Sequence, residues 1–220
     1  AAFGALSGMV FPVLMFPACI LFGLAELLIP ELARCAAAGS HVRIRYLVKR
    51  TLKVAVVYGL LFGGLMFLVA EPLCLKLYKS TEAGTYLKCY ALLVPMLYCD
   101  ALTDAMTKGL GQQTACVRYN ILTSAMDVVL LYLLLPKYGM AGYFFSFLIT
   151  HLINFLLSLR RLLKISKVSF PFYLPALSLA AALTSALGAA RIAGVTGKCI
   201  DYCAMLCSLL YLFRILCRED

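Results

Sequence analysis

Charged residues are scarce in this sequence, and their scarcity indicates the class of protein. Only 14% of the 220 residues are charged, whereas 64% are hydrophobic. A soluble domain of this size has too little interior to remove so much apolar side chain from water. The composition therefore excludes a soluble domain and predicts a protein that lies in a membrane.

Two further patterns are missing, and each excludes a class of protein. The apolar residues form continuous runs, not the alternating segments of about 10 residues that are typical of a membrane β-barrel. The net charge of +10 would suit a nucleic-acid partner, but aromatic and basic residues are not interleaved on a polar surface. The basic residues stand in short stretches between apolar runs, where they set membrane topology. We therefore expect an all-α membrane protein with no nucleic-acid partner.

Catalytic and metal-binding motifs are also missing. The sequence has no Ser/His/Asp set, phosphate-binding loop or metal motif, so it predicts a protein that is not an enzyme and needs no cofactor. Cys199, Cys203 and Cys207 share one helix face, but no histidine or further cysteine stands at zinc-site spacing. We interpret these cysteines as small packing residues, with metal ligation as the alternative, and we expect no disulfide framework.

The sequence has instead seven apolar runs, which we interpret as transmembrane helices because a helix needs about 20 residues to cross a bilayer. The predicted spans are 5–29, 51–69, 86–107, 115–135, 139–159, 172–190 and 202–216. We expect a tight turn at 136–139 and a short surface helix that begins at Glu71 and Pro72. The basic stretch 38–53 is either an amphipathic helix on anionic lipid headgroups or a loop that fixes topology.

The lysines and arginines divide unequally between the two sides of the membrane that these spans define. One side holds fourteen of the 20. They are Arg34, Arg43, Arg45, Lys49, Arg50, Lys53, Lys108, Arg118, Arg160, Arg161, Lys164, Lys167, Arg214 and Arg218. The positive-inside rule makes this side cytoplasmic, so the carboxyl terminus is expected in the cytoplasm and the first span starts outside. An odd number of spans, in a sequence that does not begin with Met, predicts further helices upstream.

Three prolines interrupt the apolar runs. Pro12 and Pro17 lie in the first predicted span, and Pro95 lies near the middle of the third. A proline in a membrane helix leaves a carbonyl without its backbone partner, so the helix kinks and neighbouring groups must satisfy that carbonyl. We expect these prolines to be kinks that gate a moving helix, with static bends as the alternative.

Four acids lie inside the predicted spans, where ionisable residues are costly and mark functional sites. They are Glu26, Asp100, Asp104 and Asp127. Asp100 and Asp104 stand four residues apart and therefore share a helix face. Asp100 and Asp104 either form a proton or Na⁺ site, or Asp104 lies at the inner membrane interface and Asp100 faces a wet cavity without a coupling role.

Other polar residues near the same spans allow two interpretations. Lys108 and Arg118 flank the predicted turn between the third and fourth spans. They are either contacts for a lipid pyrophosphate, which arginine can hold through paired hydrogen bonds, or ordinary charges of an inner loop. His151 and Asn154 in the fifth span are expected to form hydrogen bonds between helices.

Several short motifs follow one another through the first five spans. They are Gly8-Met, Phe16-Pro, Leu28-Ile-Pro-Glu, Leu75-Lys-Leu-Tyr, Lys108-Gly-Leu-Gly-Gln-Gln and Pro136-Lys-Tyr-Gly-Met-Ala-Gly. In this order and spacing they resemble the polysaccharide-flippase branch of the multidrug/oligosaccharidyl-lipid/polysaccharide (MOP) exporter superfamily, and most of all its stage V sporulation protein B-like members.

The resemblance implies a protein of fourteen helices, which form two six-helix lobes and two added helices. This chain is similar to helices eight to fourteen of such a protein. On that map residues 1–160 are the five helices of the C-terminal lobe, and residues 161–220 are the two additional helices. The implied function is to flip a lipid-linked polysaccharide or peptidoglycan precursor for the cell wall across the bacterial cytoplasmic membrane by alternating access. The implied partners are the lipid-linked glycan, membrane lipids, an H⁺ or Na⁺ coupling ion and the missing N-terminal lobe. The alternatives are a cation-coupled multidrug exporter of the same superfamily and a non-transporting membrane scaffold.

Overall fold

The computed structural model of the chain describes residues 2–168, Gly197 and residues 200–204. In chain order the elements are α1 (Ala2–Ala5), a π-helical turn (Leu6–Val10), α2 (Phe11–Ala37), α3 (His41–Tyr78), α4 (Thr81–Ala91), α5 (Val94–Gly109), α6 (Gln113–Tyr138) and α7 (Met140–Ser166). No strand occurs among the described residues, so the prediction of an all-α chain is confirmed for this part.

Among the described residues, four helices are long and apolar enough to cross a membrane, namely Phe3–Ala37, α3, α6 and α7. The pair α4 and α5, bent by 55° where they meet, makes a fifth if it is one span. These helices correspond in order to the first five predicted spans. The sixth predicted span, 172–190, lies outside the described residues, as does most of the seventh, so the number seven stays a prediction.

The surface of α6 has the character of a membrane helix. Only 6% of its most apolar stretch is buried within the chain. Its exposed large apolar side chains are Val117, Ile121, Leu122, Val128, Val129, Tyr132, Leu133, Leu135 and Tyr138. So much contiguous apolar surface needs lipid or another apolar partner around it. The long apolar helices therefore support the membrane class that the composition predicts.

The chain divides into two compact units. Unit 1 combines residues up to Phe16 with Val56–Pro95 and the described residues around Tyr202. Unit 2 combines Pro17–Ala55 with residues 96–168. Each unit has its own packing, and all the polar clusters described below lie inside unit 2.

In unit 1, α3 approaches the start of α5 very closely. A Cβ atom built on Gly59 would lie 2.7 Å from the Cα of Pro95, so only glycine permits this approach. Tyr202 is fully buried in the same unit, and its hydroxyl donates a hydrogen bond to the Leu60 carbonyl at 2.8 Å. The Gly59 contact thus holds α3 directly against Pro95 at the start of α5.

In unit 2, α6 and α7 pack as a hairpin because Gly139 alone separates them, at φ +56°. Gly142 then lets α7 pack directly on α6, since a Cβ there would lie 2.5 Å from the Leu134 carbonyl oxygen. At the other end, α5 ends at Gly109, and Gly111, with φ +76°, turns the chain into α6. A tight turn does join the fourth and fifth spans, but it consists of Gly139 alone and not of 136–139, because α6 continues through Pro136 to Tyr138.

Two predictions about connections are wrong. No surface helix begins at Glu71 and Pro72, because α3 continues through both, and α4 begins after Ser80, whose hydroxyl accepts a hydrogen bond from the Ala83 N–H at 3.3 Å. The basic stretch 38–53 is not a separate helix or loop, because α3 begins at His41 and runs through it. Lysine and arginine are good helix formers, so the helix extends beyond its most apolar stretch.

The prolines of the first span do not break the helix. α2 runs through Pro17, and a π-helical turn precedes Pro12. In that turn the Phe11 N–H donates to the Leu6 carbonyl, five residues earlier, a wider register that accommodates a missing donor next to it. Pro95 is the second residue of α5 and follows the 55° bend. The gating roles of Pro12, Pro17 and Pro95 stay predictions.

Candidate functional site

One face of α7 carries four buried polar residues, Ser146, Thr150, Asn154 and Ser158, which we call the α7 polar row. They stand four residues apart, so they lie above one another on the same face. With a rise of 1.5 Å per residue, the row is about 18 Å long, which is more than half of a hydrocarbon core of about 30 Å. Three acids from α5 and α6 meet this row at different heights.

The first acid is Asp127 of α6, which meets the row near the hairpin turn. The Ser146 hydroxyl donates to Asp127 Oδ1 at 2.6 Å, and the Thr150 hydroxyl lies 3.5 Å from the same oxygen. Thr150 donates to the Ser146 carbonyl of its own helix at 2.9 Å. Because a hydroxyl has one proton, Ser146 is the donor to this carboxylate oxygen, and Thr150 lies beside it.

The second acid is Asp100 of α5, which meets the middle of the row. Asn154 Nδ2 lies 3.3 and 3.2 Å from the two carboxylate oxygens, and the Asp100 side chain is only 12% exposed. His151 Nδ1 lies 3.8 Å from Asp100 Oδ2, too far for a hydrogen bond. The His151 ring packs on Phe147 at a tilt of 46°, with 4.2 Å between centroids, so Phe147 helps to hold the imidazole beside the carboxylate.

The third acid, Asp104, lies one turn further along α5 on the same face. Its Oδ2 forms an ion pair with Lys108 at 3.0 Å, and the Ser158 hydroxyl lies 3.5 Å from its Oδ1. Asp104 therefore has a cation of its own helix beside it, whereas Asp100 has an amide and a histidine. The two acids share a face, as their spacing predicts, but their environments differ.

A cavity of about 330 Å³ opens beside the row. It is lined by Asn120, Thr123, Ser124, Asp127, Val128, Thr150, His151 and Asn154. Asn154 is 9% exposed, and its Oδ1 has no hydrogen-bond partner in the part of the chain that the structure describes. An unsatisfied buried acceptor on the wall of a polar cavity is the kind of group that a cation or an ordered water satisfies.

The groups around this cavity suit a proton or a hard cation. Hard cations prefer oxygen ligands, and Asp127, Thr150 and Asn154 offer a carboxylate, a hydroxyl and an amide oxygen. His151 can carry a proton beside Asp100. Within the described residues, no group of three or more His, Cys, Asp or Glu side chains is placed to hold a metal ion. Cys199 and Cys207, two members of the predicted cysteine stripe, lie outside these residues.

The other predicted site residues lie away from the row. Glu26 is exposed on α2 and forms no ion pair or hydrogen bond with any residue that the structure describes. Lys108 is paired with Asp104, which reduces its availability for an anionic ligand. Arg118 lines a separate cavity with Arg161. The structure thus brings Asp100, Asp104 and Asp127 to one helix and leaves Glu26 and Arg118 elsewhere.

Sequence reasoning missed most of the residues that receive the acids. Asn154 was expected to bond between helices, and its contact with Asp100 confirms that, but Ser146, Thr150 and Ser158 were not singled out. The signal was present, because the four residues repeat every four positions in an apolar run. Arg161 was counted only as a topology charge, and nothing in its spacing connects it to α6.

Comparisons with known proteins identify no relative of this chain. No family model matches the chain, and no curated protein or solved structure matches it. The resemblance to flippases therefore rests on the sequence motifs alone.

Proposed function

We propose that the chain is part of an ion-coupled membrane transporter, the C-terminal lobe of a flippase for a lipid-linked polysaccharide or peptidoglycan precursor in the bacterial cytoplasmic membrane. The observation that carries the coupled-transport part is the α7 polar row with its three acids. Alternating access of two lobes around a site at mid-membrane is the mechanism that such an architecture uses.

The presence of three carboxylates among apolar helices requires a functional explanation. An aspartate at the centre of a membrane helix costs about 2.5–3.5 kcal/mol on insertion scales, and a helix that only anchors the chain does not require one. Asp100 and Asp127 each have hydroxyl or amide partners on α7 instead of an arginine or lysine. An ion that binds at either acid therefore does not have to displace a lysine or arginine, which favours an ion pathway.

The α7 polar row allows such an ion to change the position of α7. A hydrogen bond to a carboxylate is stronger than one to a neutral acid, so protonation or cation binding at Asp127 weakens its hold on α7. The same helix carries the partners of Asp100 and Asp104. A change at one acid therefore biases the position of a helix that all three share, and this differential interaction is what coupling requires.

The substrate class in this proposal comes from the order of the sequence motifs. A lipid-linked glycan is too large for a 330 Å³ cavity, so the cavity suits the coupling ion and the substrate would use the cleft between two lobes. The membrane lipids and an N-terminal lobe are the corresponding partners. No catalytic chemistry is required of the chain, because flipping breaks no covalent bond.

One feature favours a second candidate, a cation-coupled multidrug exporter. The cavity beside Asp127 reaches the lower end of the range for small-molecule sites, about 300–1,000 Å³, and an acidic wall attracts organic cations. Val128 lines the same cavity and offers apolar contact to such a ligand. In this alternative the drug and the coupling ion compete for Asp127.

A flipping assay on the full-length protein in proteoliposomes separates these candidates. Fluorescent lipid-linked glycan is placed in one leaflet, an ion gradient is imposed, and the probe that reaches the other leaflet is measured by quenching. Gradient-dependent flipping supports the flippase. Efflux of a cationic dye without lipid flipping supports the exporter, and neither activity supports a non-transporting membrane scaffold.

A further inference from the structure

A second cavity in unit 2, of about 390 Å³, lies where α6 begins and α7 ends, away from the Gly139 turn. It is lined by Gln112, Thr114, Ala115, Arg118, Tyr119 and Arg161. The ion pathway described above does not use it. Its wall carries two guanidinium groups and no carboxylate, so its electrostatic character is opposite to that of the cavity beside Asp127.

Arg161 is held in place by the residue that precedes α6. Its Nη2 donates to Gln112 Oε1 at 2.5 Å. Its Nε is buried and has no hydrogen-bond partner in the described part of the chain. A buried donor on a charged group is costly to leave unpaired, and Arg161 is one of the residues that line this cavity.

Arg118 brings a second positive charge to the same cavity. Neither Arg118 nor Arg161 forms an ion pair with a carboxylate among the described residues, whereas the nearby Lys108 is paired with Asp104 at 3.0 Å. Two guanidinium groups that share a cavity without a counter-charge repel each other. A bound anion would remove this repulsion.

The first turn of α6 adds a third source of positive potential. No side chain caps this helix end, and its first turn contains no acid. Backbone N–H groups at a helix start carry partial positive charge and favour anions. The helix end and the two arginines therefore act on the same space, and the hydroxyl groups of Thr114 and Tyr119 add neutral donors.

We propose that this cavity binds a phosphate group, as a monoester or a diphosphate. Arginine is suited to it because its planar fork donates paired hydrogen bonds to two phosphate oxygens. A lipid headgroup and a soluble diphosphate share this chemistry. The site goes beyond the proposed transport function and does not depend on it, because a phosphate would bind here whether or not the protein moves a substrate.

The test uses the full-length protein and two probes. In the first arm, protein in phosphatidylcholine nanodiscs is titrated with inorganic pyrophosphate. In the second, some of the lipid is replaced by phosphatidic acid, and native mass spectrometry counts the phosphatidate molecules retained. The variants are Arg118→Gln and Arg161→Gln, and the matched control is Arg160→Gln, which removes an exposed charge outside the cavity.

We expect each cavity variant to weaken binding about 10-fold or more, the effect of losing a charge-assisted hydrogen bond, and the control to bind like the wild type. Pyrophosphate binding identifies a soluble or substrate diphosphate. Retention of phosphatidate without pyrophosphate binding identifies a lipid headgroup. Equal losses in all three variants, or no binding in either arm, would overturn the proposal.

Two further variants separate loss of phosphate binding from loss of folding. Arg118→Gln changes an exposed residue, so it tests the site even if Arg161→Gln disturbs the contact with Gln112. Arg161→Lys keeps the charge but removes the planar fork, and we expect it to weaken binding as well. Loss of flipping with intact phosphate binding would count against the transport function alone, so the two proposals fail separately.

Discussion

Removal of the Asn154 amide tests whether the α7 polar row holds Asp100 in place. Asn154→Leu nearly preserves side-chain size and removes the nitrogen that lies 3.2 and 3.3 Å from the two carboxylate oxygens. His151 Nδ1, at 3.8 Å, is too far to replace it without movement. We therefore expect the substitution to destabilise the helix bundle of unit 2.

The size of the effect follows from the environment of the pair. Hydrogen bonds to charged groups are worth about 1.5–3 kcal/mol in proteins, and interhelical bonds in membranes average about 0.6 and reach about 1.7 kcal/mol. Asp100 is only 12% exposed, so we expect the upper part of the membrane range, about 1.5 kcal/mol. The substitution also removes the unpartnered Asn154 Oδ1, whose burial is unfavourable, and this offsets part of the effect. The expected net decrease in the free energy of unfolding is about 1 kcal/mol.

A double-mutant cycle isolates the pair. Asp100→Leu combined with Asn154→Leu replaces both polar groups, so neither is left unsatisfied, and the double variant should lose about 1.5 kcal/mol less than the sum of the single variants. The free energy of unfolding is measured on purified protein in bicelles by the loss of helical circular dichroism. Ser146→Ala combined with Asp100→Leu is the control, because Ser146 bonds Asp127 and its effect should add.

An Asp100–Asn154 coupling energy below about 0.3 kcal/mol, the usual limit of additivity, would refute this prediction. Asp100 would then be stabilised by water in the cavity and not by α7. A control pair that couples as strongly as the test pair would also refute it, because the effect would then belong to the bundle as a whole.

Three other predictions follow from the same contacts. Asp100→Asn should abolish the dependence of transport on an ion gradient while expression stays normal, and unchanged gradient dependence would exclude Asp100 from coupling. Gly59→Ala should destabilise the protein by about 1–3 kcal/mol because its Cβ meets Pro95; the control Gly23→Ala has open space and should be neutral or slightly stabilising, as thermal unfolding in detergent would show. In a variant in which serine replaces the native cysteines, Arg45→Cys should react with membrane-impermeant maleimide only after the cells are opened, and labelling of intact cells would reverse the predicted orientation.

The order of the described spans could be predicted because hydropathy reports directly which segments avoid water. The ends of the helices could not. The predicted second span begins at 51, but α3 begins at His41, because a helix with arginine and lysine along it can continue beyond its apolar part. Pro72 likewise lies inside α3, so a proline after an apolar run did not mark the start of a new helix.

The acids could be predicted from the sequence, but their partners could not. Four-residue spacing is enough to place Asp100 and Asp104 on one face. The contact between Asp100 and Asn154 joins residues 54 positions apart, and local patterns do not determine which helices pack together. Arg161 and Gln112 illustrate the same limit, since their contact depends on how the end of α7 meets the start of α6.

The repeat of the α7 polar row has a physical consequence for a helix that moves. The row offers a hydroxyl or amide group every four residues, and four residues advance a helix by about 6 Å, close to one turn. If α7 slides by one turn, Asp127 moves from one polar residue to the next, and Asp100 leaves Asn154 for a serine or threonine. Asp127 and Asp100 thus keep a hydrogen-bond partner in both positions, while their strongest bonds change. Two packings with similar hydrogen-bond satisfaction and a small difference in free energy are what a gradient can switch between, and an apolar stripe at the same positions would hold the acids in neither.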